Sequence, residues 1–394
     1  MLFRSKILKS GARPESPSSA AALVRRGLVA LQFVISILLI VGSLIITDQL
    51  SFIQHRNLGL EKEQVVVMPV NAISAESYST LKTELLRQHV VAAVSASFSV
   101  PGERVVIEEF RPQDAQESYY PRLLLTDFYF PETYGFKIKE GRSFSDDHGA
   151  DSAGAYLLNE KAVALFGWTS AVGKHIDFPS QHRGGEVVGV VKDFNFASLH
   201  SEVEPLLIYL YPNPVFYKYI SMKLASGDKR EAINTVEDIW KKVLPGKPFE
   251  YSFLDESFRS LYQSETKLQA IVTTFTVIGI FIACLGLVGL VAQVVAQRTK
   301  EIGVRKVMGA TIANIGGLIA KDFMKLVMVA NVVAWPVGWY AMNRWLERFA
   351  YRVDVTVWVF VLAGFLALLA ALFTISIQVI RAALANPVDA LRYE

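Results

Sequence analysis

The chain has 394 residues, 52% of them hydrophobic and only 20% charged, with a mean hydropathy of +0.32. That composition excludes a disordered chain and is too apolar for an ordinary soluble enzyme. The net charge of +3 implies no large basic field for nucleic acid, and the one cysteine, Cys284, excludes an internal disulfide and a cysteine-rich metal site. Four charge-free apolar runs then divide the chain. Leu28–Thr47 has 20 residues, Leu268–Gln297 has 30, Leu326–Asn343 has 18 and Val355–Ile380 has 26. About 20 apolar residues cross the hydrocarbon core as a helix, so four transmembrane helices are expected. The first run exceeds the usual signal-peptide core and no small-residue cleavage pattern follows it, so it reads as an anchor. The third is the shortest and holds Pro336, which kinks or interrupts a helix. Lys321 and Lys325 precede it and can snorkel to the interface.

Charge sets the expected orientation. The tail 1–27 carries six basic residues against Glu15, and Arg298–Lys325 carries six basic against two acidic. Short basic segments stay in the cytoplasm. The expected order is a cytoplasmic tail (1–27), helix 1 (28–47), an extracytoplasmic domain with stalk (48–267) and helix 2 (268–297). A cytoplasmic coupling helix and loop (298–317), helix 3 (318–343), a short outside loop (344–354), helix 4 (355–380) and a cytoplasmic tail (381–394) follow. Both ends are then inside, which four spans require.

The outside segment mixes two periodicities. Gln64–Val70, Val105–Arg111, Glu186–Val191, Leu206–Tyr211 and Tyr217–Leu224 read as strands by β-branched and aromatic content. Ala75–His89 and Glu160–Phe166 read as helices, and after Asp228 the residues Ile233, Val236, Trp240 and Val243 fall on one face. The mixture predicts an α+β domain of one or two lobes. From Asp255 no Pro or Gly interrupts the chain until Gly279. One long helix rising out of the membrane and a helix that ends at the interface are both open.

No catalytic constellation is legible in this domain. The six histidines form no HExxH pair, no serine sits in GxSxG, and there is no P-loop sequence for a nucleotide. Asp146-Asp147-His148 sits beside Gly149 in a polar turn and reads as a solvated loop. No catalytic, cofactor-binding or metal residues are assigned.

The segment after the second span reads Gln297-Arg-Thr-Lys-Glu-Ile-Gly-Val-Arg-Lys-Val-Met-Gly-Ala-Thr311. At 100° per residue, Val304, Val307 and Met308 share a face, and Arg298, Glu301, Arg305 and Lys306 share the opposite sector. Glu301 and Arg305 are i,i+4 partners. An amphipathic helix at the inner interface is expected, with Gly303 weakening it and Gly309 placed to end it. Ile302 lies inside the charged sector, where a lone apolar side chain suits a partner's pocket. Anchorage on anionic lipid and docking to a protein are both open.

RTKEIGVRKVMGAT resembles the signature after the second span of FtsX-like permeases, the MacB-type ABC transporter family. Arg25–Ile46 resembles the first span of that family. Leu157–Phe178 and Gly185–Tyr209 resemble its extracytoplasmic domain, particularly in Bacteroidota-type members, and Ala385–Glu394 resembles its C-terminal tail. The resemblance implies a membrane protein of four transmembrane α-helices with a large α+β, MacB-like periplasmic domain between helices 1 and 2, in the bacterial cytoplasmic (inner) membrane. It implies two permease units paired in the membrane, each bound to a cytoplasmic ABC ATPase, with ATP and magnesium in that partner and no cofactor in this chain. Work would pass to the outside domain by mechanotransmission, for export of a peptide, drug or lipoprotein or for regulation of a cell-envelope process, with a periplasmic adaptor as a further partner. The ATPase-coupling residues carried over are Arg298, Lys300, Glu301, Ile302, Gly303, Arg305, Lys306 and Gly309. Bacteroidota-type relatives often join two such units in one chain; this chain resembles the second, and Met1–Ala22 looks like an inter-unit linker. A homodimer and a heterodimer with a separate first half are both open. The alternative function is a membrane-anchored receptor or scaffold whose outside domain binds a ligand or protein partner.

Overall fold

The computed structural model describes residues 19–384 other than Arg104, Asp114, Pro212, Thr299, Lys300, Ile302, Gly303, Lys306, Val307 and Ala310. The chain divides into two compact units. An α+β unit takes Ser51–Ser264 with Arg348–Arg352, and a helical unit takes the described residues up to Leu50, Glu265–Glu347 and those from Val353 onward.

The α+β unit is built on one sheet of twelve short strands. In chain order these are β1 (Val65–Pro69), β2 (Val91–Ser97), β3 (Val106–Ile107), β4 (Arg111–Pro112), β5 (Arg122–Thr126), β6 (Ile138–Gly141), β7 (Ala155–Asn159), β8 (His175–Phe178), β9 (Arg183–Val191), β10 (Leu206–Leu210), β11 (Tyr219–Leu224) and β12 (Ser252–Phe253). They are ordered β12-β1-β11-β2-β5-β10-β7-β9-β8-β4, with β3 on β5 and β6 on β9. The β10–β5 and β7–β9 pairs are parallel and the others antiparallel. β7 and β10 are buried at every position, as continuous apolar strands covered on both faces should be.

Short helices close this sheet. α2 (Ala75–Leu86) starts at Ser74, whose hydroxyl accepts the Ser77 N–H at 3.1 Å. α3 (Phe130–Thr133) is a single turn. α4 (Glu160–Leu165) starts at Asn159, whose Oδ1 accepts the N–H groups of Ala162 and Leu206, each at 2.9 Å. One buried side chain thus caps a helix and pins β10. α5 (Lys229–Val243) starts at Asp228, which accepts the Arg230 N–H at 2.8 Å. α6 (Leu254–Ser260) ends the unit's helices. Two of the buried clusters among the described residues lie in this unit. Strands β1, β2 and β11 bury Val66, Val94 and Met222 beneath α2 and α5, with Trp240 fully enclosed. Strands β5, β7, β8, β9 and β10 bury Leu123, Tyr156, Ile176, Val187 and Leu207 against α4. We call the part around α2 and α5 the first lobe and the part around α4 the second; one sheet runs through both.

The helical unit holds α1 (Ser19–His55), which runs on past Leu50, then α7 (Gln263–Gln297), α8 (Ile312–Leu346) and α9 (Val357–Leu384). All four share one core: Phe33 and Ile37 from α1, Leu287 and Val291 from α7, Phe323 and Val327 from α8, and Ala363, Ala367 and Ala371 from α9. Among the described residues three helices are long and apolar enough to cross a membrane, Leu23–His55, Gln263–Gln297 and Val357–Arg381. The expected third span, α8, is 35 residues long and runs unbroken through Pro336, yet it is not among them.

An open reading is narrowed and an expectation is corrected. The chain from Asp255 is not one long helix: α6 ends at Ser260 and α7 begins at Gln263. The break holds Tyr262, which is buried, with its hydroxyl oxygen accepting the Leu199 N–H at 2.7 Å and its ring stacked 5.7 Å from that of His200. Seating this ring takes the backbone off the helical path without help from Pro or Gly. Val105–Arg111 is likewise two short strands, β3 and β4, parted by Glu108-Glu109-Phe110, with Phe110 bridged to Tyr119 instead.

Candidate functional site

The candidate site is the connection between α7 and α8. Of the residues assigned to it, Lys300, Ile302, Gly303 and Lys306 lie outside the described residues, as do the tail residues 385–394. The remaining four are placed. Arg298 continues the end of α7, its N–H donating to the carbonyls of Val294 and Val295, and its guanidinium lies 3.7 Å from Asp322 on α8. Glu301 and Arg305 form an ion pair of 2.7 Å across one helical turn. Met308 donates its N–H to the Val304 carbonyl at 3.0 Å, which continues the helical pattern. Gly309 then turns the chain with φ +89°, the left-handed conformation that ends helices and favours glycine. Thr311 restarts the chain as N-cap of α8, its side chain accepting the Asn314 N–H at 3.3 Å.

The electrostatics and exposure of this segment suit docking. Val304 is 54% exposed and Met308 is 77% exposed. They are four residues apart, and the spacing 301, 304, 305, 308 sets them beside the Glu301–Arg305 pair, where the sequence reading had set them opposite it. An exposed surface results in which apolar side chains stand next to an ion pair. Exposed ion pairs of this kind add little stability, typically a few tenths of a kcal/mol, so their chemistry is available to a partner.

The sequence reading missed a buried polar cluster in the first lobe. Asp127, just after β5, is fully buried and accepts a hydrogen bond from the Tyr78 hydroxyl of α2. Its Oδ1 also accepts the Tyr129 N–H at 3.2 Å. Burial pushes its carboxyl up from 3.8 to about 6, against the opposing pull of Tyr78 and Lys82. Lys82 is itself pushed down by burial, its ammonium seated 3.0 Å from the centre of the Tyr129 ring. The Tyr129 hydroxyl donates to Asp146 and is pushed up to about 12, first by that hydrogen bond. The only sequence signal was a lone acid between the apolar strand Leu123-Leu124-Leu125 and Phe128. Asp146 of the acidic turn is thus committed to Tyr129, and among the described residues no group of three or more His, Cys, Asp and Glu could hold a metal ion.

Comparison with known proteins now bears on these features. Residues 28–236 match the MacB-like periplasmic core domain, more than half of the chain, and residues 273–387 match the FtsX-like permease C-terminal. The chain belongs to this family of MacB-like, FtsX-like ABC transporter permeases. The uncharacterized ABC transporter permease YknZ of Bacillus subtilis (strain 168) is 25% identical over 66% of this chain and 66% of its own length. The macrolide export ATP-binding/permease protein MacB of Aggregatibacter actinomycetemcomitans is 25% identical over 48% of this chain and 30% of its own. The chain thus spans just under two thirds of the one relative and under a third of the other. The crystal structure of the periplasmic region of MacB from Actinobacillus actinomycetemcomitans aligns with 53% of this chain and 97% of that chain, at 16% identity and a TM-score of 0.38. With its three apolar helices, this permease-family chain is a multi-pass membrane protein.

Proposed function

We propose that this chain is the non-catalytic permease subunit of an ABC transporter, one that couples a separate cytoplasmic ATPase to movement of its α+β domain. The observation that carries the reading is the α7–α8 connection, with exposed Val304 and Met308, an exposed i,i+4 ion pair and a glycine in the left-handed conformation, following a span within the FtsX-like match. In this reading α8 is a fourth span: its apolar face already shares the core of the other three helices. Both chain ends and the α7–α8 connection are cytoplasmic, and the 48–267 segment is outside in the inner membrane. Arg298, Lys300, Glu301, Arg305 and Lys306 pair with charges on the ATPase, Ile302 fills a pocket there, and Gly303 and Gly309 set the helix length. ATP and magnesium belong to the ATPase. Two permease units pair, as one homodimer or with a separate first half. Export of a peptide, drug or lipoprotein, or regulation of an envelope process, is the output.

No charged residue lies within the central runs of α1, α7 or α9, and an ion or solute pathway through the helices ordinarily needs one. Work passed mechanically to the α+β domain needs none. Capture of the tagged full chain from its native membrane, with mass spectrometry of what accompanies it, tests the reading. A P-loop ATPase in stoichiometric amount is expected, and the same sample reports whether a second permease half is present. Recovery of the chain alone, or with only partners of the α+β domain, overturns the reading in favour of a receptor or scaffold.

A further inference from the structure

A cavity of about 630 Å³ in the α+β unit gathers four cations, Arg56, Lys137, Lys161 and Lys192, around a floor that includes Gly59 and Gly135. Both glycines have positive φ, and a Cβ on Gly59 would come 2.9 Å from that of Phe194. The cavity has two carboxylates, and each already has a partner. Glu61 pairs with Lys223 on β11, and Asp193 Oδ1 accepts the backbone N–H of Lys161 at 3.0 Å. Lys161 lies 3.9 Å from the exposed Glu202 and is also close enough to Asp193 to oppose the burial that pushes that carboxyl up. Lys137 and Lys192 stand side by side where β6 and β9 meet, joined by a 2.9 Å backbone hydrogen bond. Among the described residues neither makes an ion pair, and like charges set opposite each other across strands are destabilising unless an anion intervenes. The guanidinium of Arg56 is held over the Tyr351 ring at 4.0 Å, with the Phe52 ring at 5.4 Å. That fixes a planar donor fork of the kind that suits a phosphate.

Sequence adjacency says where such a phosphate comes from. Arg56 is the residue after the span Leu23–His55, and Tyr351 stands in the short connection between Leu346 and Val357, where the last span begins. We propose that this cavity binds the phosphate-bearing headgroup of an anionic phospholipid. The inference needs only a membrane protein; it does not depend on the ATPase coupling or on which side the α+β domain lies.

The full chain in nanodiscs tests it, with lysine acetylation read residue by residue by mass spectrometry. Three conditions are compared: phosphatidylcholine alone, phosphatidylcholine with phosphatidylglycerol, and phosphatidylcholine alone with inorganic phosphate added. Phosphatidylglycerol should slow acetylation of Lys137 and Lys192 about fivefold or more while leaving Lys242 on α5 unchanged, and inorganic phosphate should protect far less. Lys137→Gln with Lys192→Gln should weaken phosphatidylglycerol binding about twenty-fivefold, two cations at about fivefold each. Equal acetylation in the two lipid compositions overturns the proposal. Protection by inorganic phosphate as strong as that by the lipid overturns the assignment to a headgroup.

Discussion

The two units of this chain differ in what they leave exposed and in the small residues they enclose. The α+β unit encloses its largest side chains, with Trp240, Tyr134, Tyr156, Tyr209 and Phe110 almost wholly inaccessible. The helical unit buries large side chains too, such as Phe33 and Phe323, but sets small residues among them and exposes others of its largest. Ala363, Ala367 and Ala371 lie inside it at four-residue spacing, while Trp358 and Phe373 are 78% and 71% exposed. Water makes burial of a large apolar side chain favourable by roughly 1.5–3 kcal/mol, whereas lipid removes that gain and leaves close packing of small residues to hold helices together. The contrast therefore reports two solvents around one chain. It also says which substitutions each unit should resist.

The largest expected effect is in the α+β unit. Trp240→Ala empties the centre of the first lobe and should cost about 3–5 kcal/mol, read as accelerated hydrogen exchange in β1, β2 and β11. Exchange confined to α5 would show that the lobe does not depend on this side chain.

Asp127 gives the next largest effect, and its sign is opposite to that of an ordinary paired carboxylate. Between 3.8 and about 6 the folded unit holds a proton that the unfolded chain has released. Protonation thus favours folding, and the stability from this group is lost as pH rises through about 6, by roughly 3 kcal/mol in full. Asp127→Asn should remove that slope, seen as the difference between the two proteins' unfolding curves from pH 4 to pH 7. Parallel curves would mean the carboxyl titrates as it does in the unfolded chain.

In the helical unit the sensitive sites are small residues. A Cβ on Gly286 would strike Gln32 of α1, and one on Gly364 would strike Asn331 of α8. Gly286→Leu should cost about 1–3 kcal/mol by overpacking, measured as a lowered melting temperature of the full chain in detergent, whereas Leu285→Ala on the exposed face should change little. If both variants melt alike, the inside-small arrangement does not hold the helices together. The smallest effect is local: Asp228→Ala removes the cap of α5 and should cost about 1 kcal/mol, visible as fraying of the first turn in hydrogen exchange.

The same contrast governs what could be read in advance. Run length announced α1, α7 and α9, because lipid demands long uninterrupted apolar segments. It was weaker for α8, whose charge-free run is the shortest and holds Pro336; its apolar residues are divided between the packed Val327 and Ala334 and the exposed Val332 and Trp339. In the α+β unit, strands with β-branched runs such as Glu186-Val-Val-Gly-Val-Val191 were legible. β7 and β8 were not, since Ala155-Tyr-Leu-Leu-Asn159 reads equally as helix and His175-Ile-Asp-Phe178 is too short to show a period. Caps were local and legible, as at Asp228. The Tyr262 break, the Asp127 cluster and the basic cavity were not, because each depends on partners distant in sequence. Of the coupling residues, the Glu301–Arg305 pairing and the Gly309 stop followed from spacing alone.

The measurement that tests the account most directly exchanges the charges of that pair. Glu301→Lys with Arg305→Glu keeps an i,i+4 ion pair, and so keeps the helix, while inverting the surface offered to a partner. Capture of this variant from native membranes beside the wild type should yield the permease in equal amount but without its ATPase. An ATPase recovered equally with both proteins would contradict coupling through the α7–α8 connection.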